Sequence, residues 1–382
     1  MKHLYYIKKN IPFSLKQLYH HLRIFLQYFP RAVFRSAKAV LKKHGEYVYP
    51  KTIQLPITFK CNFDCVMCGM RHLAYKPGFS PEELKAILKD ELYKKVISVG
   101  VNGGEPFLLK NLNEYIEVIC SCLPELKDIY IITNGFFSDA VLDSSKEILS
   151  TCHKYNVSYH LSVSLDGYGK MHDTMRGKAG AFDHAIETCF KIQEDRPAYC
   201  DSFGTICTIT KINVYNLAEL DVWALSNNIP INYNIATIHK RIDNADKYED
   251  FSVFTDEHAR LMAAEFFYSK FLETKSEYYY SLYYFVAHQK RISFCSHQTD
   301  TVTLTPDGNL SYCAVFSEVI GNAFKESSKN IFFDKENINY RSSMKKEHCE
   351  TCSHYTGIIE PKSFLKSYVK ELLLNSTQFF YF

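Results

Sequence analysis

Short apolar runs rich in Ile, Val and Thr alternate with amphipathic stretches along most of this chain. The runs at residues 52–59, 96–101, 129–133, 159–165, 205–209 and 231–235 have the length and β-branched content of strands. Between them, apolar residues recur at helical spacing over 81–95, 112–122, 140–155, 182–194 and 217–227. The first of these carries its own start signals: Ser80 as cap, Pro81 at the first helical position, and Glu82 and Glu83 in the first turn. Six strand–helix units in series predict an α/β fold, a parallel sheet covered by helices and curved into a partial barrel. A closed barrel of eight units would need more strands than lie before residue 250.

The flanks follow other rules. Ser14 with Gln17 reads as a capping box, and Leu15, Leu18, Leu22, Phe25, Leu26 and Phe29 follow at helical spacing until Pro30. Residues 240–252 are polar and read as a linker or lid. A tyrosine-rich helix over 256–291 follows, either packing on the barrel or offering a stacking surface for a sugar or base. Beyond residue 295, runs at 301–304 and 310–313 flank Pro306-Asp307-Gly308-Asn309, a hairpin pattern. The expected organisation is a basic helical arm (1–50), the barrel (51–240), a helical linker (241–294) and a small hairpin-plus-helix domain (295–382).

Charge sharpens the picture of the arm. Residues 1–45 hold ten Lys and Arg and no Asp or Glu, leaving 35 basic against 42 acidic residues elsewhere, a net of −7. Such an arm suits an anionic membrane surface or an acidic partner as well as plain packing on the body. No apolar run reaches 18 residues and no secretory signal is evident at the start, so a cytoplasmic protein is expected, with peripheral membrane contact through residues 1–45 as an option. The acidic body, without a basic stripe, argues against nucleic acid as partner.

Thirteen cysteines in a reducing compartment need a use other than disulfides. Cys61, Cys65 and Cys68 form C-x3-C-x2-C directly after the first strand. Three thiolates on a [4Fe-4S] cubane leave one iron open to a non-protein ligand. Three unrelated buried cysteines, or a zinc site short of a ligand, are the alternatives. In this motif the chain resembles the radical S-adenosylmethionine (SAM) superfamily. The resemblance continues through Gly103-Gly104-Glu105-Pro106, Thr133-Asn134-Gly135, Ser164-Leu165-Asp166-Gly167, and His172-Asp173 to Arg176-Gly177 with Gly180 and Phe182, each after a successive strand. It implies a TIM-like partial (β/α)6 barrel with SAM bound at its mouth. Gly103, Gly104, Glu105 and Pro106 would meet the methionine amino group. Asn134 and Ser164 would bond the ribose, Asp166 would stand at the same mouth, Arg176 would fork onto the methionine carboxylate, and Met67 would lie beside the adenine.

A second set comprises Cys295, Cys313, Cys349 and Cys352, with Gly308 five residues before Cys313 and C-x2-C at the end. This resembles the twitch domain, the shortened relative of the SPASM extension of radical SAM enzymes, and implies an auxiliary [4Fe-4S] cluster with a full four-thiolate shell. A structural zinc site remains open on spacing alone. The further cysteines of a full SPASM extension are absent after Cys352. His354 reads as a surface loop residue. Cys120, Cys122, Cys152, Cys189, Cys200 and Cys207 sit in apolar patterns as small buried residues.

The resemblance implies reductive cleavage of SAM to a 5′-deoxyadenosyl radical, hydrogen abstraction from substrate, and an external reductant of flavodoxin or ferredoxin type. A fully thiolated auxiliary cluster favours electron transfer, hence an oxidoreductase performing a net oxidation. Peptide maturases of this family often begin with a winged recognition domain, and residues 1–50 lack its strands. The expected substrate is therefore sugar- or cyclitol-like, small or lipid-linked. A ribosomal peptide is the alternative, and an iron-sulfur protein that binds nucleic acid or transfers electrons is the alternative of another class. The proton acceptor stays unassigned, with Lys290 and Arg291 as guesses.

Overall fold

A computed structural model describes residues 48–354; the amphipathic arm and the tail beyond 354 lie outside them. Six strands, β1 (Thr52–Thr58), β2 (Ser98–Gly103), β3 (Asp128–Thr133), β4 (Ser158–Ser164), β5 (Ser202–Ile209) and β6 (Ile231–Ile235), pair in chain order and all in parallel. Three more complete one nine-stranded sheet in the order 6-5-4-3-2-1-7-8-9. β7 (Thr301–Leu304) pairs in parallel with β1, and β8 (Asn309–Ser311) and β9 (Gly321–Asn322) return antiparallel. β6 has no pairing with β1, so the parallel unit is an open sheet.

Alternation decides which face meets the helices. Ile129 and Ile131 of β3, and Tyr159, Leu161 and Val163 of β4, are buried, while Tyr130 and Ile132 face the other way and are exposed. Five helices cover the buried face: α1 (Pro81–Leu88), α2 (Leu112–Cys122), α3 (Ser138–Lys154), α5 (Ala181–Glu194) and α6 (Leu217–Ser226), with the short α4 (Lys170–Arg176) between the third and fourth of them. The expected 81–95 helix divides. Ser80 and Glu83 form a reciprocal capping box that starts α1, but Asp90 accepts from the Leu92 N–H at 2.9 Å and starts a separate 3-10 turn, Glu91–Lys95.

After the short α7 (Tyr248–Phe251), the tyrosine-rich stretch is two helices, α8 (Glu257–Thr274) and α9 (Glu277–His288). Lys275 separates them in the left-handed region at φ 56°, its N–H bonded to the Phe271 carbonyl. The stacking reading is corrected here. Tyr280 and Tyr283 are fully buried against Phe271 and Tyr268 of α8, where their rings are used for packing. The helices α10 (Ser328–Phe333) and α11 (Lys335–His348) close the described chain. One apolar core runs without interruption from Ile53 and Leu161 through Phe267 and Tyr283 to Val302, Leu310 and Met344. The hairpin therefore grows on the barrel sheet and shares its core. No helix of the described residues is long and apolar enough to cross a membrane.

Candidate active site

Both cysteine sets stand where strands and turns end. Cys61, Cys65 and Cys68 occupy the loop leaving β1, and that loop is pinned from three sides. Gly104 N–H donates to the Thr58 carbonyl and Glu105 N–H to that of Lys60, both at 2.8 Å, while Val66 N–H donates to Met175 O at 3.0 Å. The glycines are used for this contact: a Cβ on Gly104 would lie 2.0 Å from Lys60 O, and Gly103 holds φ 125°. The close backbone approach expected toward a ligand is thus first an approach to the chain's own cysteine loop.

Glu105 is buried and already engaged. Its carboxylate accepts from Phe107 N–H (3.1 Å), Thr133 Oγ1 (2.7 Å) and Asn134 N–H (2.7 Å), tying the ends of β2 and β3 together. Burial nonetheless raises its pKa to about 7, against the hydrogen bonds that lower it. Asn134 donates through Nδ2 to Asn62 Oδ1 at 2.8 Å, which reaches the cysteine loop. Pro106 is buried at the start of a 3-10 turn, and Ser164 ends β4, half-buried. Met67 is buried in a small apolar group with Phe63, Met175 and Phe251, and its carbonyl accepts from Asn244 Nδ2 at 2.8 Å.

Arg176 has partners of its own. Its Nη2 pairs with Asp166 Oδ2 at 2.7 Å, and Nη1 faces Cys65 Sγ at 3.8 Å. Asp166 is fully buried, accepts from Thr208 N–H at 2.7 Å, and donates its own N–H to His172 Nδ1 at 2.9 Å. The sequence reading aimed this guanidinium at the methionine carboxylate; the structure directs half of its fork to Asp166. Asn62 Nδ2, His172 Nε2 and Arg176 Nε are buried without partners around this mouth, the orphaned donors that a polar ligand such as SAM would satisfy.

Thiol chemistry fits a cluster at both sets. Burial raises Cys61 to about 11 and Cys65 to about 12, with neighbouring thiols adding to the rise, and Cys68 moves the same way. In the second set Cys295 rises to about 12, and Cys349 and Cys352 rise, again by burial first and each under the influence of other cysteines of the set. Such packed thiols are costly as bare thiolates and favourable as ligands of a cationic centre. Among the described residues no group of three or more His, Cys, Asp or Glu stands close enough to hold a single metal ion. Met70 N–H points to Cys68 Sγ and Phe316 N–H to Cys313 Sγ, both at 3.4 Å, the kind of sulfur hydrogen bond that tunes a cluster.

Several residues here escaped the sequence reading. Arg291, guessed as a proton acceptor, donates Nε to Cys349 O at 3.1 Å and Nη2 to His354 O, so it braces the second set. His354, expected as a surface loop residue, packs its ring 4.7 Å from His239 and 5.3 Å from His297. Burial and nearby cations hold it well below the ordinary histidine range. His239 and Arg241 stand just past β6; their place after a parallel strand's carboxyl end was the available signal.

Comparison with known proteins agrees with this geometry. Residues 55–220 match the model of the radical SAM superfamily, and residues 295–354 match the SPASM iron-sulfur cluster-binding domain. The chain is 22% identical over 314 residues to the antilisterial bacteriocin subtilosin biosynthesis protein AlbA of Bacillus subtilis, covering 78% of this chain and 63% of that one. It is 28% identical over 146 residues to the sporulation killing factor maturation protein SkfB of the same organism, covering 38% and 33%. The chain thus spans less than two thirds of either relative. A probable GTP 3′,8-cyclase of Methanococcus maripaludis is 25% identical over 270 residues, covering 69% of this chain and 84% of that one. Among solved folds, Streptococcus suis SuiB bound to precursor peptide SuiA superposes with TM-score 0.57 at 15% identity, covering 81% and 70% of the two chains. The AdoMet-bound anSMEcpe gives 0.57 at 15%, covering 85% and 94%. The two matched domains imply SAM and two [4Fe-4S] clusters. The chain carries a radical SAM domain over residues 55–220 and, after it, a SPASM iron-sulfur cluster-binding domain over residues 295–354.

Proposed function

We propose that this radical SAM enzyme modifies a peptide, with Cys61, Cys65 and Cys68 holding the SAM-binding cluster and Cys295, Cys313, Cys349 and Cys352 the auxiliary one. The observation that carries the peptide reading is the AlbA similarity, which covers 78% of the chain and belongs to a protein named for bacteriocin biosynthesis. SkfB, named for maturation of a killing factor, supports it independently. The sugar or cyclitol expectation rested on the missing strands of residues 1–50, nearly all outside the described residues, and the comparisons favour the peptide alternative over it.

When bound, SAM and its cluster supply a one-electron cleavage that yields a hydrogen-abstracting radical. The chain's own part is to position and to exclude water. Asn134, Ser164 and the remaining acceptor capacity of Glu105 are the proposed contacts to SAM. Arg176, fixed by Asp166, places positive charge beside Cys65. Four thiols in the second set leave no position for substrate, so we assign that site electron transfer and the reaction a net oxidation.

The test supplies reconstituted enzyme, SAM and dithionite with a uniformly deuterated synthetic peptide mixture, and in parallel with deuterated hexoses and aminocyclitols. Mass spectrometry reads deuterium in 5′-deoxyadenosine. Deuterium from the peptides is expected; deuterium from the carbohydrates alone overturns the peptide reading.

A further inference from the structure

Two guanidinium groups flank the first cysteine set, Arg176 buried and Arg241 half-buried, and among the described residues only Arg176 has a carboxylate partner. Arg176 pairs with Asp166. Arg241 donates Nη1 to Asn102 Oδ1 of β2, its backbone N–H bonds Ala314 O at 3.1 Å, and its Nε is buried without a partner. Among the described residues no carboxylate forms an ion pair with it, and the charged group acting on it is Cys68. A guanidinium keeps its proton, so Arg241 is a cation at neutral pH. The Cys68 thiolate of a bound cluster would offset part of that charge, but the fork of Arg241 still keeps its Nε donor unused and has no carboxylate to pair with, which favours an acceptor of negative charge on that side.

The surroundings say from which side that anion comes. Arg241 borders a cavity of about 290 Å³ between the loop after β1 and the hairpin, with Phe59, Lys76, Asp307, Cys313 and Glu318 among its walls. Lys76 pairs with Asp307 and Lys240 with Glu318, so those charges cancel. Asp243 also borders the cavity, but it is exposed to solvent and forms no ion pair with Arg241. None of the residues proposed for SAM borders it. Two residues before Arg241, His239 does not border the cavity; its Nδ1 has no partner, and burial and the charge of Arg241 hold its ring neutral. The guanidinium of Arg241 carries a fork of donors that matches one carboxylate.

We propose that Arg241 is a carboxylate-binding site on the substrate side of the barrel mouth. It receives an acidic group of the substrate between the two cysteine sets. That this group is an Asp or Glu side chain or a terminal carboxylate of a peptide rests on the proposed function; the carboxylate chemistry does not.

The test uses N-acetyl-L-glutamate and its neutral isostere N-acetyl-L-glutamine, titrated calorimetrically into cluster-reconstituted protein saturated with SAM. SAM is titrated separately, and iron per chain is measured for each protein. Wild type should prefer the acid by about tenfold or more. Arg241→Gln should erase the preference, Arg241→Lys should keep part of it, and SAM affinity should stay within about twofold throughout. No preference in wild type, a result that needs no variant, overturns the proposal. So does a preference that survives Arg241→Gln. A loss of SAM affinity of about tenfold or more in Arg241→Gln, with iron unchanged, overturns it too by moving Arg241 to the SAM side. The deuterium experiment fails separately, since it reads substrate class without reference to Arg241.

Discussion

Replacing Asp166 by Asn tests the electrostatic reasoning about the barrel mouth most sharply. Asp166 is fully buried and the Arg176 side chain only 11% exposed, so their 2.7 Å pair has little water to screen it. The amide still accepts from Thr208 N–H, but its NH2 faces Nη2 of Arg176, donor against donor. A guanidinium cannot shed its proton to escape. The variant should therefore lose about 3–5 kcal/mol, the cost of leaving one partner of a buried pair uncompensated. Arg176→Met should cost less, because Asp166, already raised by burial, can take up a proton. Its penalty should grow with pH: the folded chain then holds a proton that the unfolded chain releases above the ordinary carboxylate range, so stability falls as pH rises. The assay is urea unfolding of the apoprotein at pH 5 and pH 8, followed by circular dichroism, for both single variants and the double. The double variant should recover part of the Asp166→Asn loss. A loss below about 1 kcal/mol in Asp166→Asn, or strict additivity in the double variant, would refute the reasoning.

Other perturbations give separate readings. Glu105, raised by burial to about 7 from 4.5, binds its proton more tightly in the folded chain. Its contribution is full below about 4.5 and is lost as pH rises through 7, a span of about 3 kcal/mol; Glu105→Gln should flatten that slope in apoprotein unfolding curves. Gly104→Ala places a Cβ 2.0 Å from Lys60 O, so the cysteine loop must move, and reconstituted iron per chain should fall by about half as the first cluster is lost. In the packed helix pair, Tyr283→Ala should cost about 3–5 kcal/mol and Tyr283→Phe under about 1.5, measured by urea unfolding.

Strands were legible because alternation and β-branched content speak locally, and all six parallel strands appear within about two or three residues of their sequence bounds. A helix after the hairpin is expected from the sequence, but the bounds of α11 are not, because KENINYRSSMKKEH is polar; only Ile338, Arg341 and Met344 are buried, although Asp334 caps it by accepting from Glu336 and Asn337 N–H. The break at Lys275 was invisible, since a left-handed lysine carries no glycine signal. Both cysteine sets were read from spacing. The partners of Arg176, the ring contacts of His354 and the surroundings of Arg241 were not, because each depends on contacts across many residues, such as Asn102 with Arg241 and His239 with His354. The tyrosines showed the opposite limit: density alone does not say whether a ring packs or binds.

Anaerobic reconstitution tests the central claim most directly: iron and sulfide per chain, with 5′-deoxyadenosine formed from SAM under dithionite, for wild type and the Cys61→Ala/Cys65→Ala/Cys68→Ala variant. A radical SAM enzyme with one auxiliary cluster should hold about eight irons, falling to about four in the variant with complete loss of SAM cleavage. About four irons with one zinc in wild type would contradict the auxiliary cluster and the oxidation assigned to it, and SAM cleavage that survives in the variant would contradict the site itself.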